Sequence, residues 1–238
     1  MSPAYFLTGT DTEIGKTFTT CALLHQARLR GLLAAGLKPI AAGVDAQGRN
    51  DDVENIIAAS NAGLSREIIN PYCFAPPIAP HIAALEAGCE IDFETISRAC
   101  STARQQADWL LVEGVGGFCV PLGTDKNSAD LALHLALPVI MVVGMRLGCI
   151  NHALLTAEAI SFRGLKLAGW VANRIDPAMS RFDENLATLH ALIDAPLLGV
   201  IPHAPIGGTS GAAQYLKLPE DFPCDETPRV SPDDFERR

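Results

Sequence analysis

The run Gly9-Thr10-Asp11-Thr12-Glu13-Ile14-Gly15-Lys16-Thr17 follows a short apolar segment and opens a helix-like one. A phosphate loop spaces its residues G-x4-G-K-[ST]; here the count from Gly9 is one residue longer, or Thr10 stands for the first glycine. The chemistry survives either way. Gly15 lets backbone amides approach phosphate oxygens, and the helix that follows adds the positive end of its dipole. Lys16 is placed to reach the β- and γ-phosphates, and Thr17 to offer its hydroxyl to Mg²⁺. The bland alternative is a tight turn before a capped helix, and the strand–loop–helix setting weighs against it. A nucleoside triphosphate site is expected.

Three more residue types fit that chemistry. Glu113 closes the apolar run Trp109-Leu110-Leu111-Val112, where a second acid on Mg²⁺ belongs, and Gly114-Val115-Gly116-Gly117 after it is backbone able to pass close to a phosphate. Asp52, after Arg49-Asn50-Asp51, reads as a metal ligand or as a helix N-cap, and spacing alone favours the cap. Lys38 directly follows an apolar strand, either as a solvated strand end or as a cation beside the γ-phosphate. Asn173-Arg174-Ile175-Asp176 reads as a base-recognition loop, similar to the N-K-x-D of GTPases with Arg for Lys, or as a turn leading into a helix at Asp176-Pro177. His81, His152 and His203 have no Gly-x-Ser-x-Gly elbow beside them, so no nucleophile triad is expected.

These residues need a scaffold, and the hydrophobic pattern supplies one. Short β-rich runs are expected as strands at Ala4–Thr8, Ala34–Lys38, Trp109–Glu113, Val139–Gly144, Ala168–Asn173 and Leu197–Ile201. Helical stretches at Lys16–Arg30, Asp52–Ser60, Pro80–Ala87, Phe93–Ala107, Asn151–Phe162 and Ala178–Leu192 separate them. Strands apolar on both faces and alternating with helices imply a three-layer α/β/α fold with a mostly parallel sheet. Polar or glycine residues just past the strand ends then gather at the carboxyl edge, where such sheets bind ligands. Residues 1–218 read as a single α/β domain. Pro219–Arg238, with four prolines, seven acidic residues and three arginines, reads as an acidic, loosely ordered tail.

Composition narrows the function classes. The 238 residues are 48% hydrophobic and 19% charged, and the formal net charge of −9 argues against gripping nucleic acid through its phosphates. The longest apolar run, Leu135–Met145, is too short to span a bilayer and contains Pro138, so it reads as a buried strand with its approach. The seven cysteines are scattered, without a CxxC pair, and mostly in apolar stretches. Reduced core thiols and a cytoplasmic location are expected.

The motifs together resemble the dethiobiotin synthetases. The resemblance runs through the phosphate loop with its extra residue, Gly36-Leu37-Lys38-Pro39-Ile40, Asn70-Pro71-Tyr72 with Ala79-Pro80-His81, and Val112 to Gly117. It continues through Leu147-Gly148-Cys149-Ile150-Asn151-His152-Ala153 and Ala168 to Asn173. It implies a phosphate-loop enzyme that uses ATP and Mg²⁺ to close the ureido ring of dethiobiotin from 7,8-diaminononanoate and CO₂ or bicarbonate. It also implies roles. Thr12, Glu13, Ile14, Gly15, Lys16, Thr17 and Phe18 would wrap the ATP phosphates, and Thr17, Asp52 and Glu113 would hold Mg²⁺. Lys38 and Lys16 would be catalytic. Gly114, Val115 and Gly116 would line the site, and Asn173, Arg174, Pro202, His203 and Ala204 would lie around the adenine. The family is homodimeric, so Gly148, Cys149, Ile150 and Asn151 would bind the substrate carboxylate across the subunit interface.

Three departures stand out. Ala42 occupies the position where the family shows a substrate-contacting hydroxyl, no acidic residue follows His203, and Arg174-Ile175-Asp176 leaves ATP against GTP open. Rival readings are another phosphate-loop ATPase or amide ligase, such as the cobyrinic acid amidases, and a switch ATPase or GTPase. The switch ATPases carry a signature lysine where this chain has Asp11.

Overall fold

The computed structural model describes residues 2–221. Its first strand, Ala4–Gly9 (β1), is buried along its whole length. Tyr5 and Leu7 enter one apolar cluster, and Ala4 and Phe6 enter another. That period-two split places one core on each face of the sheet. The other strands are Ala34–Leu37 (β2), Ile40–Ala42 (β3), Tyr72–Phe74 (β4), Trp109–Glu113 (β5), Val139–Gly144 (β6), Leu167–Asn173 (β7) and Leu197–Ile201 (β8). Between them lie the helices Lys16–Leu29 (α1), Asp51–Ala59 (α2), Arg66–Ile69 (α3), Pro80–Glu86 (α4), Phe93–Gln106 (α5), Ser128–Leu135 (α6), Cys149–Phe162 (α7), Phe182–Leu192 (α8) and Gly208–Ala212 (α9).

Among the described residues, six strands form one sheet in the order β2-β5-β1-β6-β7-β8, all pairs parallel. The core of α1, α2 and α9 covers one face, and residues of α5, α6, α7 and α8 cover the other. This is the expected three-layer α/β/α architecture. From β1 the chain runs to the edge strand β2, later places β5 between the two, and adds β6, β7 and β8 on the other side of β1. The loop after β1 therefore lies where ligands bind in open parallel sheets.

Several local expectations are corrected. The short parallel pair β3·β4 was not foreseen, because three-residue strands leave no periodic signal. Leu135 ends α6 rather than approaching a strand. That helix had a legible start, since Asn127 and Asp130 form a reciprocal capping box. α7 begins at Cys149, not Asn151, directly after Gly148 at φ 94, a left-handed turn that suits glycine. α8 begins at Phe182, not Ala178, because Asp176 Oδ1 accepts from the Ala178 amide and Arg181 turns left-handed at φ 56. Cys73, Cys89 and Cys119 are exposed, so only Cys21, Cys100 and Cys149 among the described cysteines are core thiols.

The start of the acidic segment also departs from a solvated reading. Pro219–Asp221 forms a 3-10 turn, and Glu220 Oε1 accepts from Tyr5 Oη at 2.8 Å and from Trp109 Nε1 at 3.2 Å. Asp221 pairs with Arg30. Residues 222–238 of that expectation lie outside the described residues.

Candidate functional site

The site grows from the end of β1. Glu13 at φ 58 and Gly15 at φ 80 are both left-handed, a conformation that curls successive amides toward one point. A Cβ on Gly15 would stand 2.2 Å from Asn173 Nδ2, so only glycine fits there. Ile14 is buried at 1% exposure, and its side chain anchors the loop in the core rather than facing ligand. Lys16 folds back so that its ammonium donates to the Asp11 carbonyl at 2.7 Å. Burial, then the charge of Lys38, brings the Lys16 pKa down to about 8. Asp11, where the switch ATPases have lysine, instead pairs with Arg146 at 2.5 Å.

Glu113, at the end of β5, is the hub. Its Oε1 accepts from Thr17 Oγ1 at 2.7 Å and from Lys38 Nζ at 2.6 Å. Its Oε2 is buried with no hydrogen-bond partner. Lys38 is 4% exposed, also donates to the Gly114 carbonyl at 3.2 Å, and lies 3.4 Å from Asp52 Oδ2. It is no solvated strand end. Burial pulls its pKa down, but Glu113 and Asp52 outweigh that and hold it above the ordinary lysine value.

Asp52 is not the helix cap that spacing favoured. Asn50 caps α2, its side chain accepting from the Val53 amide at 3.2 Å. The Asp52 carboxylate therefore stays available and partly exposed beside Lys38.

These groups border a cavity of about 1050 Å³. Thr12, Glu13, Gly15, Lys16, Thr17, Phe18, Lys38, Ala42, Asp52, Val115 and Gly116 all line it, as the sequence led us to expect. An apolar wall made by Ala41, Pro77, Ile78 and Val120, together with Asn55 and Thr209, was not foreseen. The signal for Asn55 was its spacing, one helical turn past Asp52.

Other expected residues do not reach the cavity. Gly114 contributes its carbonyl to Lys38 from behind the wall. Asn173 is buried, and its Nδ2 donates to the Ile14 carbonyl at 2.8 Å, which ties it to the phosphate loop. Arg174 donates to the Pro177 carbonyl and stacks on the Phe182 ring at 4.8 Å. Pro202, His203 and Ala204, like Gly148, Cys149, Ile150 and Asn151, are absent from the cavity lining.

Asn70 was quoted only as a motif residue, yet it holds the site in place. Its Nδ2 donates to the Lys38 carbonyl at 2.6 Å and to the Tyr72 carbonyl at 3.0 Å, and the Lys38 amide donates to the Ile69 carbonyl.

The donor set fits Mg²⁺. Thr17, Asp52 and Glu113 supply a hydroxyl and two carboxylates, and the orphaned Glu113 Oε2 is an acceptor awaiting a cation. Mg²⁺ fills its remaining positions with water and phosphate oxygens rather than with an all-protein cage.

Comparison with known proteins gives the family and the fold. Residues 3–207 match the AAA domain family. A protein of Aromatoleum aromaticum named ATP-dependent dethiobiotin synthetase BioD is 58% identical over 219 residues, covering 91% of this chain and 97% of its own. One of the same name from Nitrosospira multiformis is 54% identical over 203 residues, covering 85% and 89%. Among solved structures, the septum site-determining protein MinD of Pyrococcus horikoshii, complexed with Mg-ADP, superposes with a TM-score of 0.51 at 16% identity, over 90% of this chain and 86% of that one. A ParA family ATPase of Chlorobium tepidum gives 0.51 at 11%, over 91% of each chain. At such identity these two structures share the fold alone.

Proposed function

The chain belongs to the ATP-dependent dethiobiotin synthetases, ligases of biotin biosynthesis, and from that premise we propose how its own residues close the ureido ring. One amine of 7,8-diaminononanoate takes up CO₂ as a carbamate, losing a proton. A carbamate oxygen attacks the γ-phosphorus of ATP and ADP leaves. The second amine then attacks the carbamoyl carbon of the mixed anhydride, and inorganic phosphate departs with one oxygen that came from CO₂. The chain supplies position and charge, not a nucleophile.

The observation that carries this reading is the buried Lys38 ammonium, held between Glu113 and Asp52 on the cavity wall next to the phosphate loop. A fixed cation there faces the negative charge that builds first on the attacking carbamate and then on the departing phosphate. Lys16, released from the Asp11 carbonyl, takes the phosphates, and the loop amides between Glu13 and Thr17 hold them. Thr17, Asp52 and Glu113 would hold Mg²⁺, which would supply charge neutralisation on the phosphates. The apolar wall at Ala41, Ala42, Pro77 and Ile78 suits the alkyl chain of the diamine.

Two features support a homodimer in which Gly148–Asn151 serves the partner's cavity. The stretch is absent from this chain's own cavity lining, and Leu147, Leu155 and Phe162 on and beside α7 expose apolar surface at 92%, 56% and 91%. A monomer mass in light scattering from fully active enzyme would exclude it. A cytoplasmic location agrees with the ATP requirement and the unpaired thiols. Among the described residues, no helix is long and apolar enough to cross a membrane.

The reaction itself is tested by ATP consumption. It should stay negligible until diamine and bicarbonate are both present. Hydrolysis without them would favour a nucleotide switch instead.

A further inference from the structure

Asn55 stands at the fifth of nine positions in α2, an interior place where asparagine is a poor helix former. It does not cap the helix, since Asn50 does. Its side chain is exposed, makes no hydrogen bond to another described residue, and lines the same cavity as Asp52. Helical side chains lean toward the N-terminus, so residue 55 covers the turn that carries Asp52. Across the groove, on α1, Cys21 sits one turn past Thr17 and also lines the cavity.

We propose that Asn55 is a positioning residue for the metal: its amide holds a water of the Mg²⁺ that Thr17, Asp52 and Glu113 bind. This rests on the Mg·ATP reading of the site. Mg²⁺ keeps several waters when protein supplies few ligands, and those waters need acceptors. Groups in this outer position orient the inner ligands and strengthen metal binding. With Lys38 already paired to both carboxylates, Asn55 adds a neutral acceptor one helical turn past Asp52.

Calorimetric titration with the non-hydrolysable analogue AMP-PCP, once with Mg²⁺ and once with EDTA, tests this in the full-length chain. The parent should bind more tightly with Mg²⁺. Asn55→Ala should lose about tenfold of that metal-dependent gain, while its affinity in EDTA and its melting temperature stay at the parent's values. Asn55→Asp keeps an acceptor oxygen and should keep the gain. Three results would overturn the proposal: a gain in Asn55→Ala equal to the parent's, an equal loss with and without Mg²⁺ (a direct phosphate contact), or the same loss in Asn55→Asp. A parent with no metal-dependent gain would instead bring down the Mg·ATP reading itself.

Discussion

Asn70 Nδ2 donates to the backbone carbonyl of Lys38 at 2.6 Å, so a buried amide 32 residues further along the chain sets where the site's central cation begins. Asn70→Ala removes the donor to that buried carbonyl and to the part-buried one of Tyr72. Each orphaned buried acceptor costs about 1–3 kcal/mol, so the melting temperature should fall by several degrees. Because Lys38 is then less well aimed, kcat should fall while KM for ATP holds. Equal changes in both constants would count against a role through Lys38.

Lys38→Met keeps the stem and deletes the charge. A fixed donor of this kind is worth about 10²–10³ in rate. The variant should bind Mg·ATP almost normally and lose most turnover. It also strands Glu113, which is 1% exposed, so some stability is lost as well. Assays run well below the variant's melting temperature separate the two effects, and turnover close to the parent's would sink the assignment.

Lys16 makes nucleotide affinity depend on pH. Its pKa of about 8 without ligand rises when phosphates arrive, so binding takes up a proton above that pH. Affinity for ATP should be flat below pH 8 and weaken as pH climbs through it. Titrations in buffers of different ionisation enthalpy should show the uptake near pH 8.5. An affinity unchanged from pH 7 to 9.5 would contradict it.

Asn173→Ala frees the phosphate loop rather than a base contact, because the Asn173 amide holds the Ile14 carbonyl. KM should rise for ATP and GTP alike, about tenfold. A change in the ratio of their kcat/KM values would return Asn173 to base recognition.

Ending the chain after Leu218 removes the Glu220 carboxylate that Tyr5 and Trp109 both contact. The melting temperature should drop by a few degrees with kcat unchanged, and Glu220→Gln in the full-length chain, which keeps an acceptor oxygen, should lose less. A hundredfold fall in kcat, about 2.7 kcal/mol of barrier, would place the segment in the chemistry.

Local signals carried much of this molecule. Strands buried on both faces read as unbroken apolar runs, so the six strands of the sheet and their parallel arrangement were legible; spacing pointed to the phosphate loop and Glu113, while Lys38 stayed open between a solvated strand end and a cation beside phosphate. Where one residue type has two uses, the sequence stayed ambiguous. Asp52 looked like a cap until Asn50 proved to hold that place, and Asn173, read either as base recognition or as a turn, proved to place one amide N–H on Ile14. Only the tertiary structure decided such cases, because what a polar side chain does depends on which partner lies within about 3 Å of it. That partner is most often distant in sequence: Lys38 and Glu113 stand 75 residues apart, Ile14 and Asn173 159. No periodicity links such pairs; the order of strands in the sheet does.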